Sequence, residues 1–236
     1  MSHPSHQLFE RLKSEFGPLP SGIDRISHQL QGMSFFPAGI GLFDPRAEFP
    51  VGGVMVLGHD WGTVANFKGY VTRDEERLTD PTWKHMVLFL DSAGIERRSV
   101  FFTNFFIGLR ATGKSVGEHP ARGDVDYVRL CRDFLLEQVE VQRPKLMLVL
   151  GTQVPPLLAP MSDALRGWGH TRTFRELDAA GAAVPRVKLH GSDHTFAAAV
   201  LVHPCHRPLN IKLRTWNGLK GDEAEVRMVK HLLTSS

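Results

Sequence analysis

The segment Val-Met-Val-Leu-Gly-His-Asp-Trp-Gly, residues 54–62, decides how this chain is read: an apolar run of strand length passes directly into a glycine, an imidazole and a carboxylate. A strand buried on both faces is apolar throughout instead of alternating, which is the signature of a parallel sheet. Three further runs of this kind occur at residues 100–103, 146–150 and 198–202. Helical signals lie between them. Asp80 and Pro81 fit a helix start, with Trp83, Val87 and Leu90 facing inward and Gly94 as the stop. Asp124 opens a second helix with Val128, Cys131, Leu135 and Val139 on one face before Pro144, and a third begins near Val154. Strands alternating with helices predict an α/β fold, a three-layer α/β/α sandwich around a central four-stranded parallel sheet, formed by residues 1–236 as one domain.

Outside that frame, Leu8, Leu12 and Phe16 predict a short amphipathic N-terminal helix, and Asp222 with Glu225 has the spacing of a capping box ahead of Val226, Val229 and Leu233. Residues 35–50, rich in glycine and proline, read as a lead-in loop, and residues 171–194 as a surface excursion before the last strand. With 42% hydrophobic and 22% charged residues in 236, the composition excludes a disordered tail or a low-complexity scaffold. The longest apolar runs fall far short of the roughly 20 residues of a spanning helix. The N-terminus has neither a secretory apolar core nor transit-peptide composition, so the expected location is cytoplasmic, at the nucleoid in a bacterium. Cys131 and Cys205 are too few for a four-thiolate zinc or iron–sulfur site and point to a reducing compartment. A net charge of +3 and a pI near 9.0 permit a polyanionic partner without requiring one.

Ligands of open parallel sheets collect at the carboxyl ends of the strands, and here those ends are polar. They read Gly58-His59-Asp60-Trp61-Gly62, Asn104, Gly151-Thr152-Gln153 and His203-Pro204-Cys205-His206-Arg207. A carboxylate, an amide and several imidazoles are expected on one rim.

In order and spacing, VMVLGHDWG, VFFTNFFIGLR (residues 100–110) and AVLVHPCHR (residues 199–207) resemble the motifs of the uracil-DNA glycosylase superfamily. FPAGIGLFDPRAEFP (residues 36–50) is similar to the lead-in of its poorly characterised bacterial members. The resemblance implies a monofunctional, metal-free and cofactor-free hydrolase that cleaves the bond between deoxyribose and a base flipped out of DNA, acting as a monomer. Such cleavage develops a cationic sugar and an anionic base, which calls for a negative group near one and a donor near the other. Asp60 and His203 would be those catalytic groups, with Asp60 also orienting water. Asn104 would read an imide edge, and Trp61, Phe67 or Tyr70 would stack on the base, beside Gly58 and His59. Gly62 stands where the most uracil-specific branch carries a methyl-excluding Tyr, so the resemblance implies a pocket open to 5-substituted uracils. His206-Arg207 resembles the Pro-Arg of the single-strand-selective branch, in which the Arg enters the helix as a wedge. The two-cysteine content disfavours the iron–sulfur branches.

Other readings stand beside this one. LGHDWG also fits the nucleophile elbow of α/β-hydrolases, which would make Asp60 a nucleophile for a small molecule. Asp60 and Asn104 fit a helix cap and a turn, respectively. His59, Asp60, His203 and His206 offer metal-ligand types, but the spacing of the last pair does not favour a site, and none is expected. Arg207, Lys212, Arg214 and Lys220, with no acidic residue among them, predict phosphate contacts beside the rim, and residues 110–122, with Lys114 and His119, an opposite bank. A nucleic-acid-binding relative without catalysis is the third possibility.

Overall fold

The structure, a computed structural model, describes residues 4–15 and 18–235. Five strands build the main sheet: β1 (Val54–Gly58), β2 (Val100–Asn104), β3 (Leu146–Leu150), β4 (Ala183–Lys188) and β5 (Thr195–Leu201), in the spatial order β2-β1-β3-β5-β4. The first three strands and β5 pair in parallel, and every residue of β1, β2 and β3 is buried, as their unbroken apolar runs require.

The sheet has five strands instead of four. β4 pairs antiparallel with β5 at the edge, with a register shift between Val184 and Val187. Pro185 lies in that shifted stretch, and proline is tolerated at sheet edges and bulges because no ladder donor is needed there. Residues 171–194 are therefore not an irregular excursion. They also hold a helix, Phe174–Ala180, opened by a capping box between Thr173 and Glu176.

Helices α1 (Pro4–Glu15), α2 (Val64–Val71), α3 (Pro81–Ala93), α4 (Val125–Gln142), α5 (Phe174–Ala180) and α6 (Gly221–Thr234) complete the frame. Successive β2 side chains point to opposite faces. Phe102 meets Trp83 of α3 at 4.9 Å between ring centroids, whereas Thr103 donates to Gln138 of α4 and Phe101 reaches Phe134 through Phe36. The sheet is thus flanked by helices on both faces. In α3 the inward positions are Trp83, Met86, Phe89 and Leu90, with Val87 only partly covered, and Gly94 ends the helix in the left-handed region. Asp124 caps α4 as its sequence requires. Beyond Val154 there is one short helical turn, Pro155–Leu158, followed by tighter turns, instead of a full helix. Leu8 of α1 is buried and Leu12 packs against the core, while Phe16 lies outside the described residues. No described helix is long and apolar enough to cross a membrane.

The predicted Asp222–Glu225 capping box does not form: Lys220 is the N-cap residue and makes no side-chain cap bond. Glu225 is fully buried and faces the sheet, where its Oε1 accepts from the Val202 N–H at 2.7 Å.

Candidate functional site

Chain direction across the sheet reverses at β1, since β2 lies on one side of it and β3 on the other. That places the crevice of the topological switch point above the carboxyl ends of β1 and β3. Two adjoining cavities open there, of about 160 and 250 Å³, and Asp60, Ser115 and His203 line both.

Asp60 is held from four directions. Its Oδ1 accepts the Gly62 N–H at 2.6 Å and Arg110 Nε at 3.3 Å; its Oδ2 meets Arg110 Nη2 and His59 Nδ1, each at 2.7 Å. Burial alone would raise its pKa, but bonds from His59 and Arg110 overcome that and hold the carboxyl well below the ordinary range. It is a permanent anion. Four donors also engage the lone pairs through which a carboxylate would take a proton from water or attack a substrate. Gly62 has φ +92°, a left-handed conformation that favours glycine, so the turn presenting its N–H to Asp60 explains why no larger residue stands there.

Arg110 was expected on a DNA-facing bank, and it is instead 4% exposed. Besides clamping Asp60 it donates to the carbonyls of Lys114, Val116 and Gly117, tying residues 111–117 to the site. His119 is likewise buried, stacked on Phe106 at 3.9 Å, and burial pushes its imidazole down to about 3. Lys114 stays exposed on that loop. His59 presents its ring edge to Phe106, and its Nε2 is buried with no hydrogen-bond partner.

His203 follows the turn after β5. Its burial, reinforced by the neighbouring His206, pushes the imidazole down to about 4, so it is neutral at pH 7. Cys205 Sγ lies 3.0 Å from His203 Nδ1, and a thiol donating there leaves the proton on Nε2. The turn is pinned from α3, where His85 Nδ1 sits 2.9 Å from the Pro204 carbonyl oxygen.

The smaller cavity is lined by Phe35, Trp61, Tyr70, Glu76, Trp83 and Asn104, together with Asp60, Gly62 and His203. Asn104 is 4% exposed, and its side-chain amide makes no hydrogen bond with any described residue. Gly58, beneath it, leaves the amide its place: a Cβ there would stand 2.1 Å from Asn104 Oδ1 and displace it. Trp61 and Tyr70 border the cavity, as expected. Phe67 does not; it is turned into a separate small core with Leu30, Ala38 and Leu109, under the edge of Trp61. Phe35 and Trp83, not picked out as site residues from the sequence, line the cavity beside Trp61 and Tyr70.

Two of the four predicted DNA contacts are not available to DNA. Arg207 Nε and Nη1 donate to Asp222 at 2.9 Å and Glu225 at 2.6 Å, and its guanidinium covers the Phe89 ring. Arg214, 1% exposed, forms ion pairs with Asp178 and Glu225 and donates to the Val200 carbonyl. The basic run carries no acid of its own, but the fold supplies Asp178 from α5 and two acids from α6. Arg207 therefore cannot be a wedge without abandoning this network. Lys212 is exposed, and His206 lies beside the larger cavity.

Two neutral histidines, the buried His119 and the partly buried His203, carry a pH signature. Their folded pKa values, about 3 and 4, lie below the ordinary 6.5, so stability is complete above pH 6.5 and is lost as the pH falls toward those values. Calorimetric melts from pH 7 to pH 4 should show Tm declining over this window, and His119→Phe should flatten part of the decline.

No family model matches the chain, and no curated protein matches it.

Proposed function

We propose that the protein is a DNA glycosylase of the uracil type, a member of the superfamily its motifs resemble, with the UDG-like α/β/α architecture and DNA as its partner. One observation carries the reading: the buried Asn104 amide, without a hydrogen-bond partner among the described residues, lies in one small cavity with an anion and a neutral imidazole. A primary amide offers an acceptor and a donor side by side, the complement of an imide N–H and its carbonyl. Phe35, Trp61, Tyr70 and Trp83 supply aromatic walls for a flipped base.

In this reading the site works by electrostatics fixed before the reaction begins. Asp60 keeps a negative charge beside the sugar as the glycosidic bond stretches. His203 donates from Nε2 to the oxygen of the departing base. Water captures a sugar that is already largely cationic, so no strong base is needed, which suits a carboxylate engaged by four donors. The same saturation speaks against the rival α/β-hydrolase reading, in which Asp60 would have to attack. Lys114, Lys212 and His206 are the surface groups nearest to DNA.

One observation favours a second reading, a binding protein without chemistry: the Arg110 guanidinium sits 2.7 Å from Asp60 and offsets the charge a sugar cation needs. Oligonucleotides carrying uracil, 5-hydroxymethyluracil, hypoxanthine or mismatched thymine, treated with protein and then alkali, separate the two. Strand breaks at the modified position support the glycosylase; retention of the oligonucleotide with no break at any of them supports the binding protein.

A further inference from the structure

Glu76 lines the smaller cavity and is used by neither the motifs nor the mechanism. It lies between α2 and α3, partly buried, in the same wall as Trp83 and across a small space from Asn104, Asp60 and His203. Trp83 Nε1 donates to its Oε2 at 2.6 Å. Among the described residues no cation forms an ion pair with it. The nearby Arg73 donates to Asp80 instead, at 2.8 Å, and Asp80 also takes the Arg77 N–H. The remaining groups around it are the Tyr70 phenol and the Ser34 hydroxyl, which is fully buried. A carboxyl beside the Asp80 charge, ion-paired to no guanidinium or ammonium among the described residues, sits where charge is disfavoured.

We propose that Glu76 is the second base-reading group of this pocket, offering a carboxylic acid O–H that selects a base with a carbonyl on its edge over one with an amino group. The inference rests on the glycosylase reading and adds to it a second specificity-determining residue and its pH control. The indole N–H occupies Oε2 as an acceptor, so the acid proton belongs on the other oxygen. Set against the C4 substituent, with the Asn104 amide on the neighbouring positions, the Glu76 O–H donates to the oxo group of uracil and meets only a second donor in the amino group of cytosine. Burial, and secondarily the Asp80 charge, push the Glu76 carboxyl up to about 8, against the pull of Trp83, Arg73 and the Ser34 hydroxyl, so the acid form prevails at neutral pH. Above that pH the group becomes an acceptor only, and it repels the carbonyl it had bound.

The test is binding of a short single strand carrying 2′-fluoro-2′-deoxyuridine, whose fluorine resists cleavage, with a matched 2′-fluoro-2′-deoxycytidine strand as control. Affinities are measured from pH 6 to pH 9 for the intact protein, Glu76→Gln and Glu76→Ala. Glutamine keeps an N–H donor at every pH. The ratio of intact-protein to Glu76→Gln affinity for the uracil strand should fall severalfold between pH 7 and pH 9, since the ionisation of uracil itself cancels in that ratio. Glu76→Ala should narrow the preference for uracil over cytosine about tenfold at pH 7. A fold control comes from the melts: Glu76→Gln should gain Tm over the intact protein at pH 9 and not at pH 5, because a raised acid pKa destabilises the fold as pH climbs through it. A constant ratio, or an unchanged preference in Glu76→Ala, overturns the role of Glu76 while leaving the pocket reading standing. Failure of the intact protein to prefer the uracil strand at any pH overturns both.

Discussion

Replacing Glu225 with alanine should lower unfolding free energy by about 3–5 kcal/mol, the scale found when one partner of a buried ion network is removed. Glu225 is fully buried, receives Arg207 Nη1 on one oxygen and Arg214 Nε with the Val202 N–H on the other, and so joins α6 to the end of β5. Its removal leaves two guanidiniums in the interior without their shared counter-charge. Urea titration with an unchanged m-value measures the loss. Glu225→Gln, which keeps the shape and the Val202 contact, should also destabilise, because charge is the missing quantity. Val202 immediately precedes His203, so a folded Glu225→Gln protein at low temperature should also lose base-release rate. If both variants melt with the intact protein, the network contributes nothing to the fold.

The second large effect belongs to His203. In His203→Ala the single-turnover rate of base release should fall about 100- to 1,000-fold, as for removal of one preorganised donor to a developing oxyanion, with DNA affinity changed only a few fold. The imidazole is already neutral well above pH 4, so the rate should show no inflection from this group between pH 5 and pH 8. Quench-flow rates at saturating protein give the chemical step, and a filter-binding titration gives affinity. Loss of affinity with an unchanged chemical step would make His203 a DNA contact and remove it from catalysis.

The parallel strands were legible because burial on both faces leaves a continuous apolar run, as in Leu146–Leu150. β4 was not: only Val187 is buried in it, Arg186 and Lys188 face solvent, and Pro185 argues against a central strand. The capping box of α5 was written in Thr173-x-x-Glu176, whereas the same spacing at Asp222 and Glu225 misled, because spacing does not say which glutamate the fold buries.

At the site, Asp60, Asn104 and His203 were legible from their position after strands, and the structure brings all three to one cavity. Arg110 had a weak signal, a lone guanidinium closing the apolar stretch 100–110. Glu76 had none, since it stands in the charged run Arg73-Asp-Glu-Glu-Arg77 that reads as a solvated turn. Arg207 and Arg214 were misread because a local count of charge cannot see the acids that α5 and α6 bring from a distance.

In the proposed glycosylase, the buried Asn104 amide reads an imide edge during base excision. The most direct measurement is the time course of base release from a single-stranded oligonucleotide carrying one uracil, with a cytosine-containing strand and the Asn104→Ala protein alongside. The intact protein should yield free uracil and an alkali-labile site, leave cytosine in place, and outpace Asn104→Ala by about 100-fold or more. No release of uracil by the intact protein, or equal release of uracil and cytosine, would contradict the account.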